Sequence, residues 1–458
     1  MTQARPPDEE QFTYDPIIFK ATDKLKIKLS QLKYFTFTLI GVALLWPWNC
    51  FLSASAYYAE RFAHSPSLVK MLSSTIMTVS SIISTLFNFY LSQSQQGVNY
   101  NLRLNSGLIL TIIVFLIMAV SCVSDFFIKM KDQIFFVTLI TLVLISAIAT
   151  CFAQNGTMAI VNVMGPIYAN GVMVGQAIAG VLPSVALIVS ILLIGDKPKA
   201  IIDDYEYVDK NFGVFVYYIT ATLISIVCMA LLYLTNHYRT ESAYSTLNQM
   251  VDSPLDAEDP PEETPEITQT KFVSFWVLWS KLKLIVSTIF LTFSITLIFP
   301  VFASNVKSTN AASSNHVFFQ DKIFIPFIFL MWNLGDLLAR VICGWKNSIL
   351  LIKNPKVLFI YSLSRLIFIP LFLTCNIHPY TSADESSALV NSDLWYIFLQ
   401  LLFGLSNGQL STSCFMIVGS FCDDDDEKEA AGGFTTVFLS TGLAFGSILS
   451  YLLVLLID

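Results

Sequence analysis

The chain has 458 residues, of which 55% are hydrophobic and only 13% are charged, with a formal net charge of −7. A soluble protein of this size carries roughly twice that charged share, so a water-soluble globular enzyme is excluded. The acidic residues concentrate in two loops and no basic patch points to nucleic acid.

Apolar residues recur in runs of about 20 or more, the length that spans a bilayer. The expectation is an all-α integral membrane protein whose immediate partner is the lipid bilayer. The N-terminal tail, 1–32, is polar and carries Lys20, Lys24, Lys26 and Lys28, with Lys33 just beyond. By the positive-inside rule this end is cytosolic. It has no short apolar core followed by a cleavage site, so no removable signal peptide is expected and the first span would act as the targeting signal.

Eleven spans are predicted, at roughly 33–59, 68–92, 103–124, 133–162, 165–194, 212–235, 282–305, 318–343, 356–376, 393–419 and 431–457. Arg103, Arg239, Lys271, Lys281, Lys283, Lys346, Lys353 and Lys356 then fall in cytosolic loops, and Arg61, Lys129, Lys131, Lys197, Lys199, Lys210 and Lys307 on the other side. Between the sixth and seventh spans, 236–281 is polar. Its middle, Asp252-Ser253-Pro254-Leu255-Asp256-Ala257-Glu258-Asp259-Pro260-Pro261-Glu262-Glu263, reads as disordered linker. It divides the chain into a six-helix bundle, 33–235, and a five-helix bundle, 282–458. Two bundles joined in this way suit an alternating-access transporter. Proline and glycine break several spans: Trp46-Pro47-Trp48-Asn49 interrupts the first, Gly165-Pro166 separates the fourth from the fifth, Phe299-Pro300 kinks the seventh and Pro326 the eighth. Gly171, Gly175 and Ala179 permit close helix packing.

Mid-span polar residues are few. Asn333, Asp336 and Arg340 stand at i, i+3 and i+7 in the eighth span, on one helical face, with Phe329 one turn earlier. Buried charges persist in a membrane only where they pair or line a wet cavity. The trio is therefore either a structural ion pair that locks helices or the polar face of a transport pathway. Gln154, in the fourth span, offers two donors and an acceptor, enough to read a nucleobase edge or to tie two helices together. The sequon Asn155-Gly156-Thr157 lies within that span and is read as unused. Arg365, in the ninth span, needs a counter-charge and could share Asp336 with Arg340; a structural or gating role is expected. The run from Cys422 to Glu429 is read as a solvated loop whose carboxylates cap the last helix rather than bind metal. The eight cysteines and four histidines show no metal or disulfide spacing. No catalytic triad or P-loop appears, so neither enzyme chemistry nor ATP-driven transport is expected, and no cofactor.

Several stretches share the look of one family. Leu44-Leu45-Trp46-Pro47-Trp48-Asn49-Cys50-Phe51-Leu52-Ser53-Ala54 resembles the first-span signature of equilibrative nucleoside transporters, and Trp46 before the proline is similar to the fungal members. Asn333, Asp336 and Arg340 resemble the family's eighth-span motif. Further resemblances are Phe299-Pro300-Val301, Ser364-Arg365-Leu366-Ile367-Phe368-Ile369-Pro370-Leu371, Cys375-Asn376, Ser406-Asn407-Gly408 and Glu429-Ala430-Ala431-Gly432-Gly433. The resemblance implies a fold like the major facilitator superfamily with eleven helices in a 6+5 arrangement, and facilitative movement of purine and pyrimidine nucleosides, such as uridine and adenosine, through a central cavity. It implies that Asp336 and Arg340 hold the ribose hydroxyls with Asn333 in support, that Gln154 bonds the base, and that Trp48, Phe299, Phe329 and Leu443 form the apolar lining. Thr78 and Ser81 stand where some relatives carry larger apolar residues. The alternatives are a proton-coupled transporter of nucleosides or nucleobases and a nucleoside-binding receptor that moves nothing. The fungal resemblance points to the vacuolar or another internal membrane, with the plasma membrane open, and to a monomer.

Overall fold

The computed structural model describes residues 15–22, 25–194, 211–251, 271–311, 316–377 and 389–457. Over these it contains eleven helices long and apolar enough to cross a membrane: α1 (Leu29–Leu52), α2 (Pro66–Gln93), α3 (Tyr100–Ser121), α4 (Asp132–Met164), α5 (Pro166–Val189), α6 (Phe212–Arg239), α7 (Phe275–Asn305), α8 (Asp321–Cys343), α9 (Pro355–Phe372), α10 (Asp393–Phe421) and α11 (Asp425–Leu453). Leu86, Phe89, Leu102, Ile113 and Leu223 face outward. A surface of this kind is stable only against hydrocarbon.

Local sequence sets the helix starts. Pro66, Pro166 and Pro355 open α2, α5 and α9, where the missing N–H would have no partner anyway. Asn99 accepts from the Leu102 amide at the start of α3, and Ser392 does the same for Trp395 at α10. The expected interruption at Trp46-Pro47-Trp48-Asn49 is absent: the helix runs through Pro47 to Ser53. Pro326 is likewise carried inside a continuous helix. The pair Phe299-Pro300 does mark a break, since α7 consists of Phe275–Thr296 and Phe299–Asn305. Span α9 is also interrupted, by a tight turn over Arg365–Ile367.

Two expected boundaries move. The helix containing α6 continues to Val251, and α7 begins at Phe275, so the ends of the expected 236–281 linker are helical. Residues 240–251 contain no proline or glycine, and nothing stops the helix before the vicinity of Pro254. The acidic, Pro-rich middle lies outside the described residues. The last helix starts at Asp425 rather than near 431, because Asp424 Oδ1 accepts from the Glu427 amide and the acids of the first turn suit a helix N-terminus. The expected capping by this acidic run is thus present. The tail also holds an unexpected antiparallel hairpin, β1 (Ile17–Thr22) with β2 (Leu25–Lys28). Asp15 fastens it to α1 by accepting from the Ser30 amide at 3.0 Å and the Ser30 hydroxyl at 2.7 Å.

Two of the loop cations are buried. Arg61 is 6% exposed, with Asp132 at 2.8 Å and the Met130 carbonyl at 2.6 Å. Arg103 lies in the first turn of α3 and donates to Asn155 Oδ1 at 2.7 Å and to the Ser94 carbonyl. Asn155, the sequon residue, is thereby an interior acceptor.

Small residues bring helices into backbone contact. At Gly175 a Cβ would run into the Thr38 carbonyl oxygen of α1, and at Gly408 into the Asp336 carbonyl of α8. Gly175→Leu is therefore expected to destroy the α1–α5 seam. Detergent-extracted protein should then lose its monodisperse size-exclusion peak, and a normal peak would contradict the packing.

The first six spans meet the last five on the side where α1 begins, here called the tail side. Asn170 Nδ2 donates to the Arg340 carbonyl at 2.8 Å and Asn162 Nδ2 to the Lys428 carbonyl at 3.1 Å. Gly432 lies against Ala159, and Gly433 against Asn155 and Ser92. Lys281 at the start of α7 ties Asp423 and Glu427 at 2.7 and 2.6 Å.

Candidate functional site

Beyond those tail-side contacts lies a cavity of about 290 Å³, at the small end of ligand pockets, which run roughly 300–1,000 Å³. Its walls come from α1, α2, α4 and α5 on one side and α7 and α11 on the other. Each helix contributes one face. Met77, Ser80, Ser81, Ser84 and Asn88 line it from α2, and Val143, Ser146, Ala147, Thr150, Cys151 and Gln154 from α4. These follow the three-to-four residue period of a single helical stripe. Leu439, Ser440, Leu443 and Ser447 do the same from α11.

Trp48 reaches this cavity while its neighbour Trp46 does not. Trp46 is 8% exposed and donates from Nε1 to Thr220 Oγ1 at 2.8 Å, anchoring α1 to α6. Trp48, two residues later, stands with Leu44, Leu45 and Phe51 in the wall. Phe293 and Leu297 of α7 complete the apolar part.

The polar groups fall into two kinds. The wall hydroxyls of Thr150, Ser440 and Ser447 bond carbonyls of their own helices. The three wall amides, Asn88, Gln154 and Gln176, have no hydrogen-bond partner among the described residues. An amide that ties two helices shows its partner; Gln154 shows none, so the helix-tying reading of Gln154 is set aside.

The eighth-span trio has the opposite character. Asp336 is 3% and Arg340 5% exposed. Arg340 Nε lies 2.8 Å from Asp336 Oδ2, and Nη2 donates to Oδ1 at 3.2 Å. Asn407 Nδ2 donates to Oδ1 at 2.7 Å, and Arg340 Nη1 donates to the Met173 carbonyl of α5 at 2.9 Å. Asn333 donates to its own helix at Phe329, and its oxygen lies against Gly180 of α5. Phe299 stacks on Trp332 at 4.4 Å and meets Phe329 edge-on at 4.9 Å. Asn333, Asp336, Arg340, Phe299 and Phe329 do not line the cavity; of the expected site residues, Trp48, Gln154 and Leu443 do. The resemblance conveys which residues occur together, and the depth of α5 over Arg340 is a packing outcome that spacing on α8 does not encode.

Arg365 does not share Asp336 directly. It is 1% exposed, donates to Ser406 Oγ at 3.0 Å and the Thr292 carbonyl at 2.9 Å, and lies 4.6 Å over the Phe403 ring. The link to Asp336 is relayed. Arg365 is 3.4 Å from Thr296 Oγ1, which is 2.6 Å from Asn407 Oδ1, and Asn407 then binds Asp336. One carbonyl, two hydroxyls and an aromatic face replace the missing counter-charge.

Sequence reading missed Asn88, Gln176, Phe293 and Ser440. The stripe Ser80, Ser84, Asn88 carried the signal, a polar face at helical spacing within an apolar span. Ser81 is in the wall and Thr78 is not.

Solved structures share this architecture. A Major Facilitator Superfamily transporter, FucP, in the outward conformation superposes with TM-score 0.52 and 13% identity, covering 93% of this chain and 91% of that one. The proton:xylose symporter XylE gives TM-score 0.54 and 9% identity over 93% and 88%. The chain is thus a multi-pass, helical membrane protein whose fold is like that of the major facilitator transporters. The family model described as "Nucleoside transporter" matches residues 139–455. Nucleoside transporter FUN26 of Saccharomyces cerevisiae is 39% identical over 95% of this chain and 86% of its own length. Equilibrative nucleoside transporter 1 of Homo sapiens is 25% identical over 92% and 96%. The chain belongs to the nucleoside transporter family, as its motifs imply.

Proposed function

We propose that the protein moves purine and pyrimidine nucleosides down their gradients by alternating access, with the substrate seated in the cavity between the six-helix and five-helix bundles. The observation that carries this reading is the unbonded amide of Gln154 in the same wall as the Trp48 ring. The Gln154 amide atoms are open to the cavity and not sealed in protein, so a ligand seated there can supply their partners. A nucleobase fits both: its face stacks on an indole and its edge offers donors and acceptors to an amide.

Asp336 and Arg340 then act one layer behind the wall. Arg340 holds the Met173 carbonyl, one turn before Gln176 on α5, so the pair fixes the turn that presents Gln176. A carboxylate has about four lone-pair sites; Oδ1 fills two with Arg340 Nη2 and Asn407 Nδ2, and an ion-pair contact with Arg340 Nε, outside hydrogen-bond geometry, covers a third at Oδ2. We place a ribose hydroxyl on the fourth, at Oδ2, in a substrate-bound state where α5 has drawn back from Arg340. In this reading the tail-side contacts belong to a state closed toward the tail. The lysines before α1 support a cytosolic tail, and the fungal match supports an internal membrane such as the vacuole; both are read by tagging and microscopy with protease protection.

The test is counterflow. Purified protein in liposomes preloaded with unlabelled uridine should accumulate labelled uridine transiently, and adenosine likewise. Saturable binding without exchange would make the protein a receptor instead. An imposed proton gradient should leave the initial rate of a facilitator unchanged, and acceleration by it would favour the proton-coupled alternative.

A further inference from the structure

Asn88 is the deepest polar residue that α2 sends into the cavity. The helix runs toward the tail side from Pro66 to Gln93, so Asn88 sits below Met77, Ser80 and Ser84, at the closed end. On α4, which runs the same way, Gln154 holds the corresponding lowest place. On α11, which runs oppositely, Leu439 and Ser440 are lowest. Two amides and a hydroxyl therefore share the cavity floor.

Asn88 is 2% exposed, and its Oδ1 is buried without a hydrogen-bond partner among the described residues. The Ser440 hydroxyl is already committed to the Thr436 carbonyl on its own helix. A buried amide oxygen left without a donor is a site awaiting one. No lysine or arginine lines the cavity, and the buried Arg103 on the tail side is committed to Asn155 and to the Leu91 and Ser94 carbonyls. A neutral N–H of a ligand would satisfy the Asn88 oxygen.

We propose that Asn88 is a second base-reading side chain, whose Oδ1 accepts from an N–H on the hydrogen-bonding edge of the nucleobase while Gln154 engages the same edge from α4. This rests on the nucleoside reading of the cavity. The pair of amides selects for bases that carry an N–H on that edge, such as uracil at N3, hypoxanthine at N1 and adenine at its exocyclic amine. A base methylated at such a ring N–H, uracil N3 or hypoxanthine N1, loses the donor and brings a methyl group to a buried acceptor. Sites built to hydrogen-bond a group reject the analogue that lacks it far more strongly than apolar pockets reject an extra methyl.

The experiment measures counterflow KM in proteoliposomes for uridine and 3-methyluridine, with wild-type protein and Asn88→Leu. Wild type should prefer uridine by ~10-fold or more. In Asn88→Leu the uridine KM should rise by a similar factor and the preference should shrink to within ~2-fold. Because the amide has no partner among the described residues, the variant should keep its melting temperature and its size-exclusion peak. Asn88→Ser, which keeps a short acceptor, should retain part of the preference, and it serves as the second measure should Asn88→Leu assemble poorly. Full retention of the preference in Asn88→Leu would overturn the assignment. So would an equal loss for both substrates together with a lowered melting temperature, which is what a purely structural amide would give. Absence of uridine exchange by the wild type would instead remove the transport reading itself.

Discussion

Replacing Asp336 by Asn is expected to abolish uridine and adenosine uptake and to lower the melting temperature of the purified protein. Asp336 answers the Arg340 guanidinium with both oxygens and also binds Asn407, all within a site that is almost fully buried. Asparagine is nearly isosteric, so the change removes charge and leaves volume. The guanidinium is then buried without a counter-charge, which costs about 3–5 kcal/mol when one partner of a buried pair is removed. Folded proteins hold a margin of only about 5–15 kcal/mol, so much of the stability goes. Transport goes with it, because Arg340 loses its orientation on the Met173 carbonyl and α5 loses the support of the Gln176 turn. The double replacement Asp336→Leu with Arg340→Leu removes both charges, and should recover melting temperature without recovering uptake. Recovery of uptake would show that the pair is only a stabilising joint.

The Gln154→Leu variant should do the reverse. Its uridine KM is expected to rise roughly ten- to hundredfold, from about 1–3 kcal/mol of lost hydrogen bonding to the base. Its melting temperature should hold, since Gln154 bonds nothing among the described residues and leucine suits its half-apolar surroundings of Ala147 and Cys151. Both variants are judged by the same two measurements, uptake kinetics and thermal melting in detergent. A residue that contacts substrate moves the first alone; a residue that holds the scaffold moves both.

The spans were legible in the sequence because hydropathy reports burial in lipid directly, and lipid burial fixes helix by backbone necessity. Helix ends were less so. Pro47 reads as a break, yet the continuing helix tolerates it where α5 and α6 pack alongside: Asn49 donates to the Ala179 carbonyl and Trp46 holds Thr220. The acids from Asp424 to Glu427 read as loop because they are charged, whereas a helix N-terminus favours that charge and Lys281 balances it. The hairpin at Ile17–Thr22 escaped because six residues of mild alternation are a weak signal beside a lysine cluster.

For the candidate site, the family motifs supplied Trp48, Gln154 and Leu443, and the cavity contains all three. They also supplied Asp336 and Arg340, but the motif gives identity and spacing along α8 alone. Whether a helical face meets water or another backbone depends on the helix opposite, and here α5 lies over it through Met173 and Gly180. The α2 stripe from Ser80 to Asn88 was readable by period. Serine also packs between membrane helices without any ligand, so the stripe alone did not separate wall from seam.

The measurement that bears most directly on the whole account is equilibrium binding of labelled uridine to purified wild-type and Gln154→Leu protein, with melting temperature recorded on the same samples. The result expected is a loss of affinity of roughly tenfold or more in Gln154→Leu with its melting temperature unchanged. Wild-type affinity in that variant would contradict the assignment of this cavity as the place where the nucleoside sits.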